Sequence, residues 1–287
     1  MREHLHGIDH VVIAVTDLDQ SKADFQTLGF TLTPRGHHTM GSKNHCAMFH
    51  SNYFELLAVP SAHPVTRYYS EFLCQGDGLA ALALKTDDAT GFYAELQDAG
   101  ISSDAPVDFS RPVNLPEGVR DAAFRIAQVG IGETPGGRAF ACQHFTRDVV
   151  WRPEYQVHPN GVLGLQGISL LTDEVHFPQA RSAYERLFDR VAQGKGEEGS
   201  TWEVSTGDTP IRLFIPASIA SEYRGSNLVK RELPYFAALH FRVQSIEHTQ
   251  RFLDDANVAH VTRPDGSLAV SSGLTHGLVM VFTVLPT

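Results

Sequence analysis

A chain of 287 residues, of which 42% are hydrophobic, is long enough to bury substantial cores in one large or two ordinary domains. Its formal net charge of −10, with no run of lysine or arginine, repels phosphate backbones, so nucleic acid and anionic membranes are unfavoured partners. No signal-like apolar stretch follows the amino terminus and no run reaches bilayer-spanning length, so a cytoplasmic location is expected.

The first predicted segment is an apolar strand over residues 10–15 followed by a helix. Asp17 is placed to cap that helix, and Gln20 to complete a capping box. Gly29 suits the left-handed position that ends a helix. Three short β-type stretches then follow, with Ser51-Asn52 as a hairpin turn between the last two, at residues 30–32, 46–49 and 53–57.

The same order of strand, cap, helix and stop recurs three times. The recurring strands, caps and stops are residues 80–85 with Thr86-Asp87 and Gly100, residues 167–171 with Thr172-Asp173, Pro178 and Gly194, and residues 237–243 with Ser245 and Asn257. The repeated unit is therefore βαβββ.

The predicted fold class is α+β, with four βαβββ units paired into two half-open eight-stranded barrels that leave a cleft inside. The turn-rich stretch over residues 151–161 is interpreted as the link between the two pairs. The first barrel is expected to span residues 1–157 and the second residues 158–287. Their units are predicted at residues 8–60, 79–150, 163–217 and 236–285.

This pattern resembles the vicinal oxygen chelate superfamily, and within it the glyoxalase-like domain proteins. The resemblance covers nearly the whole chain. It is carried by Gly7-Ile8-Asp9-His10-Val11-Val12-Ile13-Ala14-Val15 with Asp17-Leu18, Gly29-Phe30, Asn44-His45, Tyr53-Phe54-Glu55-Leu56-Leu57, Gln143-His144 and His158-Pro159-Asn160-Gly161. It implies this fold, and it leaves the reaction open among glyoxalase, extradiol dioxygenase, fosfomycin resistance and bleomycin resistance types.

The resemblance also implies that metal ligands come from the first and last strands of a unit. His10 and Glu55 match these places in the first unit, and burying either side chain without a partner costs several kcal/mol, roughly. In the second unit, Ala80 stands in the place of His10. Its last strand offers Gln143 and His144, and since neighbours on a strand face opposite ways only one of them can enter the cleft. His144 is preferred as the stronger ligand.

Two histidines and one carboxylate suit iron(II), manganese, zinc, nickel or cobalt, and the sequence does not separate these metals. In the alternative interpretation, His10 and His144 are hydrogen-bonded core histidines and Glu55 pairs with a cation such as Arg125. The three cysteines, Cys46, Cys74 and Cys142, are interpreted as reduced core thiols.

The second barrel has lost this pattern. Alignment places Gln166 where His10 stands, and matching Val59-Pro60 with Ile215-Pro216 places Ile211 where Glu55 stands. His240 and His276 are therefore interpreted as packed histidines on strands without a carboxylate partner. Scaffolding, oligomer contact or closure of the first cleft are the expected roles of this half.

A polar loop between the second and third strands of the first unit borders the predicted cleft. Arg35, Lys43 and Asn44 are candidate substrate-binding residues, although a solvated loop is an equal alternative. His45, at the strand entrance, is the preferred acid–base candidate.

Two functions are consistent with these observations. The first is a metal-dependent enzyme, with isomerase, lyase or dioxygenase chemistry, on a small substrate that chelates the metal through two oxygens. The second is a metal-free protein that sequesters a small molecule, as bleomycin resistance proteins do. A homodimer is compatible with either function.

Overall fold

The computed structural model describes residues 2–39, 41–59, 66–195, 201–215, 223, 225–271 and 273–284. It confirms an α+β protein in which strands dominate and helices cover the sheet. Among the described residues no helix is long and apolar enough to span a membrane.

The first half of the chain contains eight described strands and four helices. These are β1 (Ile8–Ala14), α1 (Leu18–Thr27), β2 (Gly36–His37), β3 (Lys43–Met48), β4 (Tyr53–Ala58), α2 (Arg67–Leu73), β5 (Gly78–Lys85), α3 (Ala89–Asp98), β6 (Val107–Leu115), β7 (Gly118–Gln128), β8 (Arg138–His144) and α4 (Arg147–Val150). A short 3-10 turn (Pro153–Tyr155) leads into the second half.

The second half contributes eight further strands and two helices to the described residues. These are β9 (Val162–Leu171), α5 (Phe177–Phe188), β10 (Gln193–Lys195), β11 (Thr201–Val204), β12 (Ile211–Phe214), β13 (Tyr235–Val243), α6 (Ile246–Asp255), β14 (Val261–Thr262), β15 (Leu268–Val270) and β16 (Val279–Thr283). Another 3-10 turn (Gly273–Thr275) precedes the last strand.

Strand pairing follows one order in four successive segments: β1-β4-β3-β2, β5-β8-β7-β6, β9-β12-β11-β10 and β13-β16-β15-β14. The first strand of every segment runs parallel to the fourth. Antiparallel ladders join β1 to β5 and β9 to β13, and one residue pair, Phe236 with Leu79, joins the two halves. The sheet of the described residues does not close, and the grouping into four units and two half-open barrels stays a prediction.

Of the four helix caps predicted from the sequence, two are confirmed; α3 is capped by Asp88 rather than by Thr86-Asp87, and α5 has no side-chain cap hydrogen bond. Asp17 accepts hydrogen bonds from the backbone N–H groups of Asp19 and Gln20, and Ser245 accepts one from His248. The capping box at Gln20 is wrong, because its amide donates to Asp24 instead. Asn257 has a φ of +54°, as expected for a residue that ends a helix.

Two further element predictions are wrong. Residues 30–32 form no strand, because Phe30 and Leu32 are buried in the helix-facing core and the short strand comes later, at Gly36–His37. The helix α5 begins at Phe177, one residue before the expected Pro178, but it ends with left-handed Asp189 rather than at Gly194, which lies in β10.

The link between the halves packs against the first half through His158 and Asn160, and we call these contacts the clamp. The Nδ1 atom of His158 accepts a hydrogen bond from the Thr31 N–H at 3.0 Å, and its Nε2–H donates to the Met48 carbonyl at 2.9 Å. The amide of Asn160 donates to the Leu28 carbonyl at 2.8 Å. These buried contacts hold the turn after α1 against the start of the second half.

The glycine that ends α1 offers a test of this clamp. Gly29 has a φ of +85°, and a Cβ there would lie 2.6 Å from Phe252 and 2.7 Å from Asn160. Gly100, which follows α3, has a φ of +65° but open space around it. We expect Gly29→Ala to lower the free energy of unfolding by about 3 kcal/mol, and Gly100→Ala by about 1 kcal/mol. Urea unfolding of both variants measures the difference, and equal losses would show that the clamp yields easily.

Candidate active site

Two rows of residues cross the inner face of the first half, because the register of four neighbouring strands is fixed. One row runs Tyr53, His10, Ala83 and Phe140, and the next runs Glu55, Val12, Ala81 and Arg138, over β4, β1, β5 and β8. Side chains two apart on a strand face the same way, so both rows line one surface.

A cavity of about 110 Å³ lies over these rows. Its apolar lining includes Leu57, Tyr53, Tyr69, Phe109, Phe124, Ile126 and Phe140, and its polar lining includes His10, His38, Asn44, Glu55, Arg111, Gln128 and Arg138. A largely aromatic wall with a few converging polar groups is typical of a small-molecule site.

His10 and Glu55 meet at one end of this cavity. The His10 Nε2 atom lies 3.8 Å from Glu55 Oε2, and both side chains are buried. Tyr53 stacks on the imidazole, with ring centroids 4.2 Å apart. Asn44, a predicted substrate-binding residue, lines the cavity and donates to Glu55 Oε1 at 2.6 Å. The pairing of Glu55 with Arg125 that the alternative interpretation offered is absent, because Arg125 pairs with Asp108 on the surface.

Asp9, a fully buried carboxylate that was not predicted as a site residue, contacts the ring nitrogen of His10 that is not directed at Glu55. Asp9 Oδ2 lies 2.8 Å from His10 Nδ1 and 3.0 Å from His144 Nε2. Burial alone would raise the pKa of Asp9, but the charge and hydrogen bonds of His144 and His10 outweigh burial and hold that pKa well below its ordinary value. When the His10 ring is neutral and donates Nδ1–H to Asp9, the lone pair of its Nε2 atom is directed toward Glu55 and is available to a cation.

A β-bulge explains why two consecutive residues of β1 reach the same polar cluster. The β1–β5 register shifts between Ile8 and His10, so Asp9 has no partner in that ladder. Bulges redirect a side chain in this way and are common beside active sites. The only signal in the sequence is a carboxylate next to His10 in an apolar run.

His144 lies on the inner face, as the sequence reasoning preferred, and Gln143 lies on the outer one. The Gln143 amide donates to the Asp87 carbonyl and accepts from Ala89 N–H, so it supports the start of α3. The Nε2 atom of His144, however, contacts Asp9 rather than the cavity, and its Nδ1 atom is buried without a hydrogen-bond partner in the described residues. Its role as the third metal ligand stays a prediction.

The structure does not bring the other loop candidates to the cavity. His45 lies between Asn44 and Cys46, which line it, and strand alternation turns the His45 ring to the opposite face. There its Nδ1 atom contacts the Thr33 carbonyl at 2.7 Å, and burial lowers its pKa. Arg35 forms an ion pair with Asp19, and neither Arg35 nor Lys43 lines the cavity.

His38, from the same loop, is the imidazole that the structure places in the cavity. Its Nδ1 atom lies 2.7 Å from Ser42 Oγ, and its Nε2 atom lies 3.8 Å from Glu55 Oε1. Burial is the largest influence on its pKa, which is lowered from the ordinary value. A neutral imidazole therefore faces Glu55 from the side opposite to His10.

The donor set fits a divalent cation. Histidine nitrogen and carboxylate oxygen each bind such ions at about 2.0–2.2 Å, so two donors 3.8 Å apart can share one. A hydrogen bond from the far ring nitrogen to a carboxylate is the usual support of a ligating histidine. Separately, Asp9, Cys142 and His144 bring three donor atoms within 4.8 Å of one another.

The cysteines divide into two kinds. Cys46 and Cys142 are buried core thiols as predicted, and burial raises the pKa of both thiols, which keeps them protonated. Cys74 is exposed after α2, so the prediction that it is a core thiol is wrong.

Among the described residues of the second half, the His10–Glu55 arrangement is not repeated. Ile211 lies opposite Ile168 in the register that pairs Glu55 with Val12, as the alignment predicted, and Pro60 and Pro216 lie outside the described residues. His240 is packed, with Nε2 2.8 Å from Ser169 Oγ.

His276 differs from its prediction, because it lies off the strands and bridges two carboxylates of the first half. Its ring nitrogens lie 2.8 Å from Asp77 and 3.1 Å from Asp24.

Comparison with known proteins supports one family. The glyoxalase-like domain model matches residues 8–188, and no curated protein matches the chain. A hypothetical protein from Staphylococcus aureus is similar in structure, with 12% identity, a TM-score of 0.68 and coverage of 97% of this chain and 99% of that one. A mutant 4-hydroxymandelate synthase from Streptomyces coelicolor has 14% identity, a TM-score of 0.64 and coverage of 97% and 92%.

A third similar structure is a fusion of a xylose isomerase-like TIM barrel with 4-hydroxyphenylpyruvate dioxygenase. It has 12% identity and a TM-score of 0.60, and all of this chain spans 50% of that one. At these identities the structural likeness establishes the fold, whereas the sequence match establishes the family. The chain belongs to the glyoxalase-like domain family of the vicinal oxygen chelate superfamily.

Proposed function

We propose that the chain is a metal-dependent enzyme that acts on a small oxygen-chelating substrate in the cavity of its first half. The observation that supports this most strongly is the 3.8 Å approach of His10 Nε2 and Glu55 Oε2, with Asp9 behind the imidazole. Two buried groups of this kind, converging in an aromatic cavity, are suited to share a cation.

We assign a separate role to each polar residue at the metal site and in the cavity. His10 and Glu55 would hold the cation, with His144 as the proposed third ligand, and a bound divalent ion would act as a Lewis acid on a substrate oxygen. Asp9 orients His10, and Asn44 orients Glu55. His38 replaces His45 as the group placed to exchange a proton with a substrate, because its ring borders the cavity. The aromatic wall excludes water.

For the reaction we propose a broad class of chemistry and no specific substrate. Two of the similar structures carry the names 4-hydroxymandelate synthase and 4-hydroxyphenylpyruvate dioxygenase, and the second name favours dioxygenase chemistry over isomerase or lyase chemistry. Dependence on iron and oxygen distinguishes these classes, because glyoxalase-like chemistry needs neither.

We further propose that the four segments pair as two half-open barrels, with the site in residues 1–157 and scaffolding or homodimer contact in residues 158–287. The alternative function, metal-free sequestration of a small molecule, is favoured by the aromatic share of the lining. Metal content separates the two functions.

The test is elemental analysis of protein stripped with a chelator and then incubated without oxygen with iron(II), zinc, nickel, manganese or cobalt. Wild type is expected to retain stoichiometric metal, and His10→Ala and Glu55→Gln to lose it. His176→Ala serves as the control, because His176 is exposed and pairs with Asp173 far from the cavity. Wild type without metal would favour sequestration, and unchanged metal in His144→Ala would remove His144 from the ligand set.

A further inference from the structure

We propose that the substrate carries a carboxylate, which Arg138 binds at the end of the cavity away from His10 and Glu55. This proposal names a substrate class for the proposed function and rests on it. We call the Arg138 guanidinium the anion end, and His10 and Glu55 the metal end.

The anion end has a guanidinium that the protein leaves partly unused. Arg138 lines the cavity, and its Nε atom is buried with no hydrogen-bond partner among the described residues. The only aromatic contact of the Arg138 guanidinium that is resolved in the described part of the chain is with the Tyr68 ring, 5.7 Å away. Leaving such a donor unsatisfied is costly, so a ligand that accepts hydrogen bonds from the guanidinium is favoured.

The strand register places the two ends across one floor. Glu55, Val12, Ala81 and Arg138 are successive neighbours on β4, β1, β5 and β8, which separates the outer two Cα atoms by about 14 Å, or three strand spacings. Both side chains are long and face inward, and the shorter Val12 and Ala81 side chains between them leave space. One small molecule can therefore reach both ends.

The charges of the cavity indicate an anion. Arg111 and Arg138 both line it, and neither forms an ion pair with a carboxylate of the described residues. Other arginines of this acidic protein, such as Arg125 and Arg120, pair with aspartates on the surface. A guanidinium suits a planar carboxylate, because it supplies parallel donors.

The middle of the cavity restricts the rest of the ligand. Phe140, Tyr69 and Ile126 lie between the two ends and offer only apolar surface or a buried hydroxyl. The expected ligand is therefore a small monocarboxylate with a flat, apolar middle and its metal-binding oxygens at the other end.

The test compares benzoate with benzamide, a neutral molecule of the same shape, by calorimetric titration of the chelator-treated full chain. Wild type is expected to bind benzoate about 10–100-fold more tightly, the range for one charge-assisted hydrogen-bonding pair. Arg138→Gln is expected to abolish this preference, whereas Gln128→Leu, which keeps the guanidinium, should retain it. Arg125→Gln, on the outer face of β7 and paired with Asp108, should retain it.

Metal analysis of the same variants keeps the two proposals apart. Arg138→Gln should retain the metal of wild type, so loss of the benzoate preference with metal intact supports the anion end. A wild type without metal that still prefers benzoate would remove the enzyme proposal but support the carboxylate site. Equal binding of both probes, no binding of benzoate, or a preference that survives in Arg138→Gln would overturn the inference.

Discussion

Asp9→Ala is expected to lower the free energy of unfolding by about 3–5 kcal/mol, the range for removing one partner of a buried charged network. Asp9 is fully buried and accepts from two imidazoles, at 2.8 and 3.0 Å. Alanine would leave His10 Nδ1 and His144 Nε2 without their acceptor in a site closed to water. The cost arises from these two unsatisfied donors more than from the lost volume.

The amide variant separates fold from function. Asp9→Asn preserves the shape of the side chain, but a neutral amide holds the two imidazoles less strongly than a carboxylate does. We expect it to fold and to bind metal about 10–100-fold more weakly, as is usual when the support of a ligating histidine is changed.

Urea unfolding and competitive metal titration measure these two effects. Asp108→Ala is the matched control, because Asp108 also pairs with a cation, Arg125, but lies on the surface, and its loss should change stability little. An Asp9→Ala protein as stable as that control would show that the buried carboxylate does not hold the two histidines.

Much of the site was predictable because strand alternation is regular. His10 and Glu55 were expected to converge, and β1 and β4 do pair in parallel with Val12 opposite Glu55. The same rule, applied to β3, places Asn44 in the cavity and His45 outside it. His45 is the better acid–base group by residue type, but residue type does not show which face of β3 a side chain lies on. A loop of unknown path precedes β3, so the phase depends on tertiary pairing with β4.

Asp9 was not predictable for the opposite reason, since alternation fails there. A bulge adds one residue to β1, and nothing in an apolar run with one aspartate reveals where the ladder slips. The end of α5 shows a similar limit. Asp189 adopts the left-handed conformation that glycine usually takes. A prediction that relies on glycine as the stop signal therefore places the end of α5 too late, at Gly194.

Acidification below pH 6.5 is expected to destabilise the protein through His158. Burial lowers the pKa of His158 from its ordinary value of 6.5, although its hydrogen bond to the Met48 carbonyl opposes the shift. The Nδ1 atom accepts from the Thr31 N–H, so a proton there would set two donors against each other. His240 is buried too, and its pKa lies well below the ordinary value for the same first cause, with Arg212 and Arg263 adding to it.

The direction of the pH effect on stability follows from the pH at which the folded and the unfolded chain each take up a proton. The unfolded chain protonates these histidines as the pH falls through 6.5, whereas the folded chain does so only at lower pH. The unfolded state therefore binds more protons in that interval, and stability present above pH 6.5 is lost on acidification. Each histidine contributes a slope of about 1.4 kcal/mol per pH unit below its unfolded pKa.

Urea unfolding of wild type, His158→Gln and His240→Gln between pH 5 and pH 8 measures these slopes. Glutamine at position 158 can accept from Thr31 or donate to Met48 without titrating, so His158→Gln should be less stable at pH 8 but should lose less stability on acidification. The double variant should lose both contributions to the slope, because the two histidines lie in separate clusters. Unchanged acid sensitivity in both single variants would assign the effect to other groups, such as the carboxylates that His276 bridges. It would also show that burial of His158 and His240 does not oppose protonation of their rings.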